Sequence, residues 1–209
     1  GLAEYVRVEA PSVARDALLL PPNVSFAGGA FVEPVACALK AVDRAAVRGG
    51  DAALVVGLGS NGLLLGWLAR LAGAVLLVGS DPDPVRRRLA LEHGFDAAVD
   101  PSAGRVPDAV RAVSPRGADA VFVVPTSPAA VLPAIEAAAP AGRVVFFSPV
   151  APGESWPLAP NVPYFKDLTL RFSYSSGPRE TRRALDLIAS GALPVERLVT
   201  HRLPLSRTA

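Results

Sequence analysis

A doubly wound α/β fold, with a parallel sheet covered on both faces, is the architecture this sequence predicts. Three observations carry that expectation. Strand-like and helix-like segments alternate from Ala52 onward. The strand segments are near-continuous apolar runs, as strands buried on both faces are. A glycine-rich turn joins the first of these strands to the first long apolar helix. Six strands counted from Ala53 match a complete sheet of order 3-2-1-4-5-6.

In chain order, residues 1–10 (GLAEYVRVEA) read as a short strand, with Tyr5, Val6 and Val8 as β-formers among exposed charges. Leu18 to Leu20 form a short apolar run closed by Pro21 and Pro22. Over residues 26–47 the pattern turns helical: Phe31, Val35, Leu39 and Val42 recur at spacings of four, four and three, and Gly49-Gly50 ends the segment. Residues 53–56 are a strand and 63–72 a helix with Gly73 as its cap. Strands follow at 75–78, 97–99, 120–124, 144–147 and 168–174. Helices follow at 84–93, 106–113, 128–139 and 178–190; proline opens 84–93 and 128–139, where it is tolerated. Residues 151–163 are proline-rich and irregular, and there is no internal repeat.

The turn after the first strand is Gly57-Leu58-Gly59-Ser60-Asn61-Gly62, a G-x-G-x-x-G spacing. In a strand–turn–helix setting its first glycine permits the tight turn and its second lets backbone approach a pyrophosphate. Its third lets helix pack on strand, and the free N–H groups of the helix start hold the anion. Alone the spacing is weak evidence, since a purely structural turn can carry it. Asp81 stands about 20 residues on, where an acidic residue can accept the ribose hydroxyls of NAD and repel the 2′-phosphate of NADP. Its other reading is a helix N-cap, because Asp81 and Asp83 precede Pro84. Arg86 is read as stacking on adenine or meeting a 2′-phosphate, so NAD is favoured with NADP open.

Composition narrows the classes. With 209 residues, 51% of them hydrophobic, the chain can bury the core of one large domain, or of one domain plus a fragment. A net charge of +2, with Arg86, Arg87 and Arg88 as the only basic triplet, implies no nucleic-acid partner. Cys37 is the sole cysteine, which excludes an internal disulfide and a cysteine-rich zinc cluster. Glu4, Arg7 and Glu9 interrupt any signal-peptide pattern, so a cytoplasmic location is expected. Residues 52–69 carry no charge, about the length of a membrane span. Their central glycines would leave backbone groups unsatisfied in lipid, which argues against a membrane partner. The sequence contains no methionine, position 1 included, and an internal portion of a longer protein is therefore expected.

Taken together, FVEPVACALKAVDRA (31–45), GLGSNG, GADAVFVVP, AGRVVFF, KDLTLRFSYSSGP, RALDLIASGAL and THRLPL resemble the zinc-dependent medium-chain dehydrogenases, nearest the sorbitol, threonine and glucose dehydrogenase branch. The resemblance runs through almost the whole chain. It implies a Rossmann domain over residues 25–200, a remnant of a β-rich GroES-like catalytic domain at 1–24, and the start of the return to that domain at 201–209. It also implies hydride transfer between an alcohol or polyol substrate and NAD(P), zinc as a second cofactor, and a homo-oligomer. Cofactor-binding positions are then Gly57, Leu58, Gly59, Ser60, Asn61, Gly62, Asp81 and Arg86. Glu33 of the Glu33-Pro34 pair matches a glutamate at the family's catalytic zinc; its plainer reading is a charge on the first turn of a helix. The family's other zinc ligands and its four-cysteine lobe precede the matching region, so no catalytic residue is assigned and the chain alone is expected to bind cofactor without turnover. Lys40 stands where some relatives carry histidine. Cys37, one turn after Glu33, reads as a small helix residue; Ser173 and Tyr174 read equally as a nicotinamide border or as packing. Two rivals stay open: a zinc-free quinone or enoyl reductase of the same superfamily, and a non-catalytic NAD-binding module.

Overall fold

Residues 3–207 are described by the computed structural model. Their contacts divide the chain into two compact units, one of Cys37–Ser175 and one joining Gly1–Ala36 to Ser176–Ala209. The larger unit holds a six-stranded sheet: β1 (Ala52–Val56), β2 (Leu76–Ser80), β3 (Ala97–Val99), β4 (Ala118–Val123), β5 (Ala138–Phe146) and β6 (Thr169–Phe172). Every neighbouring pair is parallel and the order is β3-β2-β1-β4-β5-β6, as expected from the sequence.

The same unit carries α4 (Ser60–Leu71), α5 (Pro84–Glu92), α6 (Val106–Val113), α7 (Pro128–Ala137) and α8 (Asn161–Phe165). The smaller unit has α1 (Ala10–Asp16), α2 (Phe26–Gly29), α9 (Pro178–Ala189) and two 3-10 turns, Val195–Leu198 and Leu205–Arg207. α3 (Val32–Ala45) runs across the division.

β1 is the central strand, and all five of its residues are buried, which is why it reads as an unbroken apolar run. On one face of the sheet Leu54, Val121, Val144 and Phe146 pack with Val131 and Ile135 of α7. The strand edges are tied by charge as well. Arg143 of β5 donates from Nε to the Ala45 carbonyl at the end of α3 and pairs with Asp51, which precedes β1. The Lys166 ammonium donates to the carbonyls of Glu136 and Ala138, 2.7 and 2.8 Å away, satisfying the end of α7. Its burial, with the Arg111 charge nearby, pulls the Lys166 pKa down.

Asp96 links α4 to β2: it accepts from the Leu77 N–H at 2.7 Å and from Arg70 at 2.6 Å. Burial pushes its carboxyl up, but these donors outweigh it and leave the pKa below the usual 3.8. A carboxyl depressed in the fold contributes stability above its unfolded pKa and loses it as pH falls through the folded value. Asp96→Asn should therefore flatten the acid limb of a Tm–pH profile below about pH 4, modestly because the side chain is 43% exposed.

Three expectations need correction. No strand forms over residues 3–9, and α1 starts at Ala10 with Pro11 in its first turn. A strand needs a neighbour for its N–H and C=O groups; among the described residues none pairs there, and Tyr5 and Val6 are exposed. Gly1 and Leu2, which the expected strand included, lie outside the described residues. The helix expected over 26–47 is broken into α2 and α3 around Ala30 and Phe31. Ser25 caps α2 by accepting from the Gly28 N–H at 3.0 Å, and the adjacent Gly28 and Gly29 weaken any continuation. The helix expected to reach residue 139 stops at Ala137, because Ala138 is already extended and opens β5. No described helix is long and apolar enough to cross a membrane.

Candidate functional site

The sheet order reverses between β1 and β4, which lie side by side. In open α/β sheets the crevice beyond the carboxyl ends of the strands at such a switch point receives ligands. A cleft of about 560 Å³ lies there, bounded by Val56, Gly57 and Gly59 after β1, Ser80, Asp81 and Arg86 after β2, and Val124 and Pro125 after β4. That volume falls within the usual range for small-molecule sites, about 300–1,000 Å³.

The glycine loop is shaped residue by residue. Gly57 has φ +88°, a left-handed conformation disfavoured for residues with a side chain, and a Cβ there would sit 2.9 Å from Pro125 Cδ. Gly62, in the first turn of α4, is closer still: a Cβ would stand 1.9 Å from the Gly57 carbonyl oxygen. Helix and turn are in backbone contact there, and only glycine fits. Gly59 differs, because a Cβ on it would meet nothing within 4 Å. It is the N-cap of α4 and offers no side-chain cap, so the helix start opens onto free space. Ser60 is exposed and Asn61 half-buried beside it, while Leu58 turns inward and is buried. An uncapped helix start with clear space before it is where a pyrophosphate fits.

Asp81 holds this loop. One carboxylate oxygen accepts from the Leu58 N–H at 2.8 Å and the other from the Asp83 N–H at 2.9 Å. The N-cap of α5 is Asp83 rather than Asp81: its side chain accepts from the Val85 N–H at 2.8 Å. Asp81 is buried at the cleft wall with its side chain 3% exposed, and the Arg86 guanidinium lies 3.6 Å from it. Arg87 braces the same corner. It donates to the Asp81 and Pro82 carbonyls, both at 2.8 Å, and pairs with Asp100 after β3 at 2.9 Å. Bonds from Ser102, then Arg87, hold the Asp100 carboxyl below its ordinary pKa.

The structure thus brings Gly57, Leu58, Gly59, Ser60, Asn61, Gly62, Asp81 and Arg86 to one corner of the fold. Sequence reading missed Arg87 and the opposite wall. The wall was findable in principle, since residues just past the carboxyl end of β4 must face those past β1. Glu33 is exposed on the first turn of α3. Among the described residues no three His, Cys, Asp or Glu side chains gather as a metal site. A lone carboxylate does not hold zinc. Cys37 is half-buried on α3. Ser173 is buried with its hydroxyl unpartnered, and the Tyr174 carbonyl accepts from Lys40 at 2.9 Å. His93 caps the end of α5, its carbonyl accepting from Trp67 at 2.9 Å.

Comparison with known proteins agrees with this geometry. Residues 62–190 match the family model described as zinc-binding dehydrogenase. The chain is 32% identical to (R,R)-butanediol dehydrogenase of Bacillus subtilis over 98% of its length and 57% of that protein's. It is 31% identical to L-arabinitol 4-dehydrogenase of Talaromyces emersonii, covering 88% of the chain and 50% of the relative. Among solved structures, a candidate zinc-binding dehydrogenase from Sinorhizobium meliloti, crystallised bound to NADP, superposes with a TM-score of 0.87 at 36% identity. That match covers 94% of this chain and 57% of the other. The chain therefore spans about half the length of the relatives it matches.

Proposed function

Since the chain belongs to the zinc-binding dehydrogenase family, we propose that it is the coenzyme-binding portion of an NAD(P)-dependent oxidoreductase acting on an alcohol or polyol. The observation that carries this reading is the uncapped start of α4 facing open space at Gly59, with the buried Asp81 beside it. Nicotinamide, when bound, supplies the hydride chemistry. This chain's residues do the holding: the N–H groups at the start of α4 take the pyrophosphate, the Asp81 carboxylate accepts adenosine ribose hydroxyls, and Val124 and Pro125 close the opposite wall. The Rossmann assignment of residues 25–200, with catalytic-domain pieces at 1–24 and 201–209, belongs to the same proposal.

Zinc in the whole protein would take Glu33 as the one carboxylate this chain offers it, and among the described residues no three His, Cys, Asp or Glu side chains gather as a metal site. A cytoplasmic location and a homo-oligomer complete the proposal. The latter is supported by the outer edge of β6, beside which no further described strand pairs and where Phe172 is 62% exposed.

The purified 209-residue chain should bind NADH in a calorimetric titration yet oxidise no alcohol with zinc added. Asp81→Ala should weaken NADH by about tenfold or more, since it removes both the ribose acceptor and the tie on Leu58. Unaltered NADH affinity in that variant, or an unaltered preference between NADH and NADPH, would remove Asp81 from the ribose role. Zinc-dependent turnover by the chain alone would overturn the division of labour proposed here.

A further inference from the structure

We propose that Trp156 is a positioning residue for the coenzyme cleft, holding in place the wall opposite the glycine loop. The inference rests on the coenzyme reading above and concerns the turn that follows β4. Pro125 and Ser127 of that turn both line the cleft, and Thr126 stands between them. Pro125 also sits hard against the glycine loop: its Cδ lies 2.9 Å from where a Cβ on Gly57 would stand. Any shift of this wall is therefore felt at the turn that takes the pyrophosphate.

On its strand side the turn is tied by the Val124 N–H to the Val56 carbonyl, and on its helix side by the Ala130 N–H to the Ser127 carbonyl, both at 3.0 Å. Between them Pro125 has no N–H to give. The Thr126 carbonyl is held from outside: the Trp156 indole N–H donates to it at 2.7 Å. The indole is itself anchored. Its ring lies 4.7 Å from that of Phe146 at the end of β5, which stacks in turn on Phe172 of β6 at 5.1 Å. Phe146 is buried, so the tryptophan rests on a fixed part of the sheet. A phenylalanine could fill the same stack, but only an indole brings a donor to its edge. Within the proline-rich stretch after β5, Trp156 and Leu158 pack on the core, while residues 151–155 are exposed. This irregular segment thus braces the cleft from outside through one side chain.

The experiment titrates NADH calorimetrically into the unaltered chain, Trp156→Phe and Trp156→Ala, with Tm measured for each. Trp156→Phe keeps the stack and removes the N–H. Its Tm should stay within about 4 °C of the parent while the NADH dissociation constant rises about threefold to tenfold. Trp156→Ala removes stack and donor together, so its Tm should fall further and its binding should weaken at least as much. A packing role alone would lower Tm and leave the dissociation constant unaltered. An unaltered constant in Trp156→Phe overturns the inference, whatever the alanine variant does, and leaves the coenzyme reading intact. A second readout uses the two tryptophans of the chain. In Trp67→Phe the remaining indole is Trp156, and its emission should shift or fall as NAD, which does not absorb in that range, fills the cleft. Emission indifferent to saturating NAD also overturns the inference. Absence of NADH binding by the unaltered chain would overturn the coenzyme reading itself.

Discussion

Gly62→Ala is expected to cost about 3 kcal/mol of stability, at the upper end of overpacking effects, and to lower Tm by roughly 6–12 °C. The added methyl would stand 1.9 Å from the Gly57 carbonyl oxygen. Backbone on both sides leaves no flexible side chain to give way, so α4 must move off β1 and carry the anion-binding turn with it. Loss of NADH binding should accompany the loss of stability. Gly59→Ala provides the contrast. Its Cβ meets nothing within 4 Å, so the variant should melt near the parent while losing cofactor affinity, because the methyl would fill the space left for the pyrophosphate. Thermal melts and NADH titrations on both variants separate folding from binding at neighbouring glycines. If Gly59→Ala binds NADH as the parent does, the pyrophosphate is not where this geometry puts it.

Arg143→Met is the second large expected effect, about 3–5 kcal/mol by urea denaturation. The side chains of Arg143 and Asp51 are 14% and 12% exposed, and the same guanidinium donates to the Ala45 carbonyl. Removing the cation leaves a largely buried carboxylate that still accepts from the Arg48 N–H, 2.9 Å away, but has lost its counter-charge. Much of the cost is therefore the stranded charge rather than the lost bond. A double variant with Asp51→Asn should recover part of the stability, and the coupling energy of the cycle measures the pair. A single-variant cost below about 1 kcal/mol would mean that Asp51 finds other partners on relaxation.

The sheet was legible because its signals are local and repeated. Residues 53–56, 120–124 and 144–147 are unbroken apolar runs because those strands are covered on both faces, and glycines mark several segment ends between them. The strand expected over residues 1–10 failed for the opposite reason. Tyr5, Val6 and Val8 have the right propensities, but strand formation depends on a pairing partner, which propensity does not encode. The break between α2 and α3 is invisible to the Phe31, Val35, Leu39, Val42 period, which begins only at the break and says nothing of residues 26–30; the signal there is the Gly28-Gly29 pair. At the site, spacing located the glycine loop and Asp81. It could not show that Asp81 grips Leu58, 23 residues earlier, or that Arg87 braces Asp100, since those bonds follow from parallel strand ends meeting at one edge.

The grip of Asp81 on Leu58 also bears on how binding proceeds in time. A glycine-rich turn left to itself samples many conformations, and an anion arriving there must first select one. Here the buried carboxylate has already chosen, so the turn's disorder is surrendered when the chain folds rather than when the dinucleotide docks. Such a rigid seat shortens the wait between encounter and capture and leaves affinity differences among dinucleotides to their residence times.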